Sequence, residues 1–499
     1  MRAASRILTA LTASASLAAC GGAPLTTTAA PLPPRPVVSA PIDLTKPPTL
    51  TAPPALRVPP ITTRQLANGL RIVVVEQHEL PLADVILEVR NGGEADPANR
   101  AGTAALTSAM LSEGTTTRSA LQIADQAAFL GVRVGANSGW EQSTVSLHTP
   151  TAQIDSALAL FADVALHPAF ADADLERVRK VRLTSLQQLR DRGPSIADRA
   201  YATALYGEQH PYGRPLAGTE ASLAAITRAD LQRFHDTFYR PNNATLLVVG
   251  DVRPDDVERR AQALFGGWTR ADVPAPTNAT AQAPKATTLV LIDKPGAAQS
   301  SFRLGGIGAP RSTKDYFALQ VLNTILGGSF TSRLNQNLRE TKGYTYGAGS
   351  GFSMRRQAGP FTASAEVVSA KSDSALIEFM KELRAIRDTV PADELAKAKR
   401  YLQLGLPEDF ETTGSIASQM LPLITYGIPL DFYNSAVENI GAVTQADVQR
   451  VARQYVDPSK LTIVIVGDRK SIEPGLRALN PGEIIIRDVR DVLGAPPTP

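Results

Sequence analysis

The chain has 499 residues, and its 51 basic and 48 acidic residues give a formal net charge of +3. Hydrophobic residues make up 43% and charged residues 20%, which argues against a wholly disordered chain and against a polytopic membrane protein. The near-neutral balance disfavours a dedicated nucleic-acid binder, and the length predicts roughly two to four domains.

The N-terminus has the layout of an export signal. Arg2 and Arg6 precede a small, apolar run that ends at Ala19 and is too short to span a bilayer. Leu-Ala-Ala-Cys20 resembles a bacterial lipobox, which predicts cleavage after residue 19 and acylation of Cys20. Cys20 is the only cysteine, so the chain can form neither an intramolecular disulfide nor a thiolate zinc cluster. We expect a periplasm-facing lipoprotein of the bacterial envelope, anchored to a membrane by its lipid; the alternative is an ordinary signal peptide that contains a cysteine.

Residues 20–60 are predicted to be a tether. Twelve prolines lie between residues 21 and 60, with Thr and Ala filling most of the rest, a composition typical of semi-rigid extended chain. The folded part then opens with an Asn68-Gly69 turn and a β-branched run to Val75, which predicts a hairpin entering a strand.

Strand and helix patterns then alternate along the chain. The apolar stretch 83–89 predicts a second strand, and the spacing over 103–111 predicts a helix. A longer helical pattern covers 172–189, and we expect Gly193-Pro194 to stop it.

An internal repeat defines the organisation. Residues 226–251 contain a Thr-capped helix, a Pro-marked turn, a buried strand and a Gly-Asp turn, and residues 443–468 repeat that order without insertion. The distance between the copies far exceeds the roughly 20 to 50 residues of a solenoid repeat, so it indicates a duplicated domain.

The duplication predicts an α+β protein with two homologous halves, residues 61–270 and 286–480. A linker rich in Pro, Ala, Thr and Asn joins them over residues 271–285, and a tail ending in proline follows over 481–499.

Four segments carry a resemblance to a known family. They are residues 66–75, 210–219, 239–251 and 326–343. Together they resemble the pitrilysin/insulinase family of zinc metallopeptidases, and the resemblance covers nearly all of the chain beyond the tether. It implies a metallopeptidase-like clamshell in which each half is an antiparallel or mixed sheet flanked by helices.

Active members of that family carry the motif H-x-x-E-H on a helix of the first half. Two imidazoles at i and i+4 share a helix face and bind one Zn²⁺, while the Glu acts as base on its water. In this chain Ala105 and Ala109 stand at the two His positions, and Ser108 stands at the Glu position. The third ligand, a Glu in the family, falls at Ser185. The resemblance therefore implies that the zinc site is lost.

The histidines offer no replacement site, because no two of the five are spaced to share a helix turn. We expect each to be structural, and this chain to hold no metal and no cofactor.

The second half retains another part of the family pattern. Residues 338–346 resemble the family segment Leu-Arg-Glu-x-x-Gly-Leu-x-Tyr, in which the Arg and the Tyr help to bind the peptide and steady the tetrahedral intermediate. Carried over, these residues are Arg339 and Tyr346. A guanidinium and a phenol suit that role because both donate hydrogen bonds to an oxygen that becomes anionic. The alternative is that Arg339 pairs with Glu340 and Tyr346 only packs at a strand start.

The chain therefore resembles the catalytically degenerate subunit of a two-chain peptidase. A homologous partner would supply H-x-x-E-H and the zinc, while this chain would supply Arg339 and Tyr346 for peptide hydrolysis. The competing hypothesis is a non-catalytic envelope binding or assembly protein, similar to the respiratory-complex core proteins that share the fold. A peptidase with a different mechanism is disfavoured because there is no nucleophile motif such as G-x-S-x-G.

Overall fold

A computed structural model describes residues 53, 56–276 and 279–494, so the predicted signal, Cys20 and most of the tether lie outside the described residues. None of the helices in these ranges is long and apolar enough to cross a membrane. The strands found there form two six-stranded sheets. They are β1 (Ile61–Gln65), β2 (Arg71–Glu76), β3 (Leu82–Val89), β4 (Arg133–Ser138), β5 (Ser143–Pro150), β6 (Ala244–Gly250), β7 (Thr288–Asp293), β8 (Gln299–Ile307), β9 (Thr345–Phe352), β10 (Pro360–Val368), β11 (Thr462–Gly467) and β12 (Glu483–Asp488).

Helices flank both sheets. The α-helices are α1 (Thr103–Met110), α2 (Ala120–Leu130), α3 (Ile154–Leu166), α4 (Asp172–Leu189), α5 (Gly193–Tyr206), α6 (Glu220–Ala225), α7 (Arg228–Phe238), α8 (Pro254–Phe265), α9 (Tyr316–Leu326), α10 (Arg333–Asn335), α11 (Ser372–Asp388), α12 (Ala392–Gly405), α13 (Thr413–Tyr426), α14 (Ala436–Ala442), α15 (Gln445–Tyr455), α16 (Arg469–Ala478) and α17 (Val489–Leu493). A π-helical turn, Gln336–Thr341, follows α10.

The two sheets share one topology, which confirms the predicted fold class. The strand orders are β1-β2-β6-β3-β5-β4 and β12-β7-β11-β8-β10-β9. In each sheet the strand that ends the repeat, β6 or β11, runs parallel to one neighbour and antiparallel to the other. The sheets differ at one edge, where β1 is antiparallel to β2 but β12 is parallel to β7.

The repeat has the predicted local structure in both copies. Thr227 and Thr444 cap α7 and α15, and each forms a capping box with the Asp at the third helical position. All residues of β6 and β11 are buried. The predicted hairpin at Asn68-Gly69 and the helix over 172–189 are also confirmed.

Two boundaries differ from the sequence prediction. Gly193-Pro194 does not only stop α4; it also begins α5, because proline is tolerated in the first turn of a helix, where its missing N–H is not needed. Residues 483–493, assigned to the tail, form β12 and α17. Ile484 and Ile486 pack against the core of the second half, so that sheet extends beyond residue 480.

The halves exchange helices. Helix α5 of the first half packs on the second sheet, where Ile196 and Ala200 meet Val290 and Val464 in one buried cluster. Helix α13 of the second half packs on the first sheet in the same way, and its residue Met420 lies in a cluster with the strand residues of β2 and β6. Each sheet therefore needs a helix from the other half to bury its second face.

A buried carboxylate lies on the sheet face that α13 covers. Glu88 of β3 is fully buried, and neither of its carboxylate oxygens has a hydrogen-bond partner among the described residues. Burial raises the pKa of Glu88 to about 7, and the nearby Thr425 hydroxyl and the Arg90 guanidinium offset this only in part. The folded chain therefore favours the protonated form of this side chain.

Replacing Glu88 by Gln should reduce the pH dependence of stability. Between pH 4.5, the ordinary pKa of a glutamate side chain, and about pH 7, the folded chain binds more protons at Glu88 than the unfolded chain. The free energy of unfolding therefore falls as the pH rises through this range. Urea denaturation at several pH values should show that the free energy of unfolding falls less in Glu88→Gln than in the parent chain, by up to about 3 kcal/mol. Part of the fall should persist, since burial raises the pKa of Glu94 and Asp96 as well. Exposed Glu411→Gln is the control, and equal pH profiles for Glu88→Gln and the parent chain would contradict the prediction.

Candidate functional site

Helix α1 carries the positions that the family resemblance assigns to the zinc motif, and a buried aspartate fixes its start. Asp96 Oδ2 accepts a hydrogen bond from the Gly102 N–H at 2.7 Å, and Oδ1 accepts one from the Ala104 N–H at 2.8 Å. Gly102 has a φ of 95°, and a Cβ there would lie 2.9 Å from the Gly218 Cα. Only glycine fits this close approach without strain. The start of α1 is therefore fixed by contacts within the chain.

The motif positions themselves have no group suited to zinc chemistry. Ala105 and Ala109 are half-buried and present methyl groups. Ser108 is buried, and its hydroxyl has no hydrogen-bond partner among the described residues. Ser185 is exposed on α4, and its hydroxyl donates back to the Val181 carbonyl of the same helix at 3.0 Å.

An arginine lies beside these positions. Arg182 of α4 donates from Nη2 to the Ala105 carbonyl at 3.0 Å. It is one helical turn before Ser185, on the same face of α4. Burial lowers the pKa of Arg182 from its ordinary value, and no neighbouring carboxylate offsets this. Helix α4 also contacts the segment just after α1, through the ion pair of Arg177 with Glu113.

These residues do not fit a zinc ion. Zn²⁺ is bound by thiolate, imidazole or carboxylate, whereas this site offers methyl groups, hydroxyls and a guanidinium whose positive charge repels a cation. No cluster of three or more His, Cys, Asp or Glu side chains that could hold a metal occurs in the described ranges.

The histidines are dispersed and each has a partner. His235 contacts the Ala165 carbonyl and stacks on Tyr239, and His210 accepts a hydrogen bond from the Tyr212 N–H. The other three each pair with an aspartate; they are His78, His148 and His167.

The retained segment of the second half faces solvent. Arg339 lies in the π-helical turn, where its guanidinium stacks over the Phe330 ring at 4.6 Å and pairs with Glu340 at 3.3 Å. Tyr346 lies at the start of the edge strand β9 with 89% of its surface exposed, and Phe330 is also exposed. Glu340 therefore pairs with Arg339, as the alternative interpretation proposed, but Tyr346 does not pack against the strand start.

A polar cavity of about 570 Å³ lies behind this segment, between α9, α11, α12 and the π-helical turn. Asn337 and Lys342 of the turn line it, and both contact Glu378. The cavity wall is thus continuous with the turn that carries Arg339.

The fold does not connect the two parts of the predicted site. Within the described ranges, no hydrogen bond or ion pair joins Arg339 or Tyr346 to a residue of the first half. Both side chains are instead available to a molecule outside this chain.

The turn between β9 and β10 docks on the first half through contacts that the sequence analysis did not predict. The Arg356 backbone N–H donates to both carboxylate oxygens of buried Glu141, at 2.8 and 3.0 Å, and its guanidinium pairs with buried Glu94. The Tyr212 hydroxyl also donates to Glu141. Arg355 stacks over the Tyr212 ring at 4.4 Å. No local pattern announces these contacts, because their partners are far apart in sequence.

The fold defines the class of protein: a duplicated metallopeptidase-type clamshell with two six-stranded sheets flanked by helices. Two family models match the chain, the insulinase model (peptidase family M16) over residues 71–220 and the peptidase M16 inactive-domain model over residues 225–402. An uncharacterized zinc protease of Mycobacterium tuberculosis is 30% identical over 422 residues, which cover 83% of this chain and 95% of the relative. The chain therefore belongs to the peptidase M16, or insulinase, family.

Two other similar proteins have names or structures that bear on activity. The non-peptidase homolog YmxG of Helicobacter pylori is 23% identical over 417 residues, which cover 82% of this chain and 94% of that protein. The crystal structure of a peptidase M16 inactive domain from Pseudomonas fluorescens has a TM-score of 0.77 at 28% identity, covering 82% of this chain and 98% of that one.

Rebuilding the zinc motif should reveal the effect of Arg182. We expect the variant Ala105→His, Ser108→Glu, Ala109→His, Ser185→Glu to bind zinc roughly tenfold more weakly than the same variant with Arg182→Ala added, because the guanidinium repels the cation at short range. Competition with a chromophoric chelator measures both affinities. Lys180→Ala in the same background is the control, since it removes an exposed positive charge from the same helix. Equal zinc affinity with and without Arg182 would show that the guanidinium has no influence on the site.

Proposed function

We propose that this chain is the catalytically degenerate subunit of a two-chain M16 metallopeptidase. A homologous subunit would carry H-x-x-E-H and zinc, and this chain would bind the peptide and stabilise the transition state. The observation that carries the proposal is the contrast between the halves: small side chains stand at the positions assigned to the zinc motif with a guanidinium beside them, while Tyr346 is exposed and Arg339 is partly exposed. The similarity to a non-peptidase homologue and to an inactive-domain structure supports it.

The exposed pair has the chemistry that the role requires. A guanidinium N–H and a phenol O–H both donate to a carbonyl oxygen, and both interactions strengthen as that oxygen becomes an oxyanion. Since no hydrogen bond or ion pair among the described residues joins these side chains to the first half, the carbonyl would belong to a peptide held at the zinc of the other subunit. The Phe330 ring and Glu340 would preorient the guanidinium before the peptide arrives.

A second candidate function is a non-catalytic binding or assembly protein of the envelope. The pairing of Arg339 with Glu340 favours it, since a guanidinium with a carboxylate partner is partly satisfied without a substrate. The two functions predict different partners: a zinc-bearing homologue in the first case, and an unrelated envelope complex in the second.

Reconstitution tests the role of Arg339 and Tyr346. The isolated chain should contain no stoichiometric zinc after dialysis and should cleave no peptide, whereas the chain combined with its co-purifying zinc-bearing homologue should cleave. In the reconstituted enzyme, Arg339→Ala or Tyr346→Phe should lower kcat roughly 100-fold, as expected for the loss of one oxyanion donor. Arg384→Ala is the matched control, because Arg384 is exposed on α11 of the same half and does not line the cavity behind the turn.

Each outcome of this experiment has a definite meaning. Unchanged kcat in both variants would reduce the chain to a scaffold. Zinc or peptidase activity in the isolated chain would overturn the proposal altogether, and co-purification with an unrelated envelope complex alone would favour the assembly function.

The proposal also places the chain at a membrane through acylated Cys20. Metabolic labelling with a radioactive fatty acid should mark the parent chain, and Cys20→Ser should abolish the label and release the protein from membranes, because a single replaced thiol removes the attachment point. Ser16→Ala, four residues earlier, is the control. Labelling that persists in Cys20→Ser would contradict the anchor.

A further inference from the structure

A small apolar cavity lies between helices of the first half and the C-terminal helix α17, and none of the positions assigned to the zinc motif lines it. Its volume is about 200 Å³, and it lies between α4, α5, residues 215–220 and the C-terminal helix α17. Most of its wall is hydrocarbon, contributed by Leu186, Leu189, Pro215, Leu216, Val492 and Leu493. A cavity of this composition favours a compact apolar group.

The wall is held in place by a second arginine. Arg190 at the end of α4 donates to the Gly494 carbonyl at 2.9 Å, to the Leu493 carbonyl at 3.2 Å and to Glu220 Oε1 at 3.0 Å. These contacts join α4 to α6 and to the end of α17, so the cavity is preformed in the folded chain. They also neutralise Glu220, the only acidic side chain among the cavity-lining residues.

One charged side chain of the cavity wall is left without a partner. Ser195 and Arg199 are one turn apart on α5 and line the cavity, while Ile196 and Ala200 of the same helix are buried against the second sheet. In the part of the chain that the structure describes, Arg199 has no hydrogen bond and no ion pair, and its Nη1 is buried. Burial lowers the pKa of Arg199 to about 10, and the more distant Glu208 offsets this only in part.

Arg199 is half-buried, and its buried Nη1 gains no hydrogen bond to replace the water it has lost, which costs free energy. An anion at the cavity would pair with this guanidinium, and the hydrocarbon around it would suit an apolar ligand body. A phosphate does not suit this hydrocarbon, because it offers no apolar group to the wall.

We propose that this cavity binds a small apolar carboxylate, whose carboxylate pairs with Arg199 and whose hydrocarbon part contacts the leucine-lined wall. Two sources share this chemistry: a short fatty acid, and the C-terminal residue of a peptide that ends in an aliphatic side chain. The proposal does not depend on the degenerate-subunit function, because no residue of the zinc positions or of the Arg339 segment lines the cavity.

Calorimetry with the purified full chain tests the proposal. Octanoate should bind at one site, and octan-1-ol, which has the hydrocarbon but no charge, should bind at least about tenfold more weakly. Arg199→Met should lower octanoate affinity at least tenfold, whereas Arg199→Lys should retain part of it. Arg192→Met is the control, because Arg192 is exposed just before the first turn of the same helix and does not line the cavity.

A second pair of probes distinguishes the sources. N-acetyl-leucine binding that is lost in N-acetyl-leucinamide points to a peptide terminus, and binding of octanoate alone points to a fatty acid; both support the proposal. Equal binding of octanoate and octan-1-ol, unchanged octanoate affinity in Arg199→Met, or no binding of any probe overturns it. If Arg199→Met does not fold, Leu216→Trp decides: this larger side chain fills the cavity, and octanoate binding that survives it overturns the proposal.

Discussion

The reciprocal exchange of α5 and α13 is the contact on which the rest of the structure depends. A six-stranded sheet has two faces, and the helices of each half cover only one of them with that half's own main core. The second faces, with Val73 and Leu247 in one sheet and Ile292 and Val466 in the other, are buried by a helix of the opposite half. Since hydrophobic burial is the main favourable term in folding, neither half completes its core alone. The duplication is thus one cooperative body, although its sequence contains two copies of one unit.

The start of α1, where the family motif would fall, is held by contacts within the chain. Stability at the zinc positions comes from features that a metal does not supply: the Asp96 cap, the close approach of Gly102 to Gly218, and the contacts of α4 with the α1 region. Small side chains at 105, 108 and 109 pack between these fixed points without a ligand. The contacts that hold α1 and α4 in place are therefore separate from the side chains at positions 105, 108, 109 and 185.

The sequence predicts those parts of the fold that are encoded locally. Thr227 and Thr444 with their Asp partners mark two helix starts, and the helical pattern over 172–189 predicts the observed bounds of α4. Both signals are local, because capping and periodicity act within a few residues. The family motif assigns the zinc positions to residues of α1 and α4. The exposure of Tyr346 is visible only in the structure. Arg182 had no signal of its own, since its importance arises from the packing of α4 against α1. The Arg356 contact with Glu141 and the exchange of helices were missed for the same reason: their partners meet only after the whole chain has folded. Strand β12 was not predicted, because the proline-rich end of residues 481–499 indicated a tail.

The docked turn between β9 and β10 also has a mechanical consequence. Rotating one half away from the other would remove the Arg356 N–H from both carboxylate oxygens of Glu141 and would separate Glu94 from the Arg356 guanidinium. It would also expose the apolar faces of α5 and α13 to water. Glu141 would keep the Tyr212 hydroxyl, but it would lose the Arg356 N–H while buried Glu94 lost its guanidinium, and these costs would arise together. The docked turn and the two exchanged helices therefore hold the halves in one arrangement, and separating them would break all of these contacts at once.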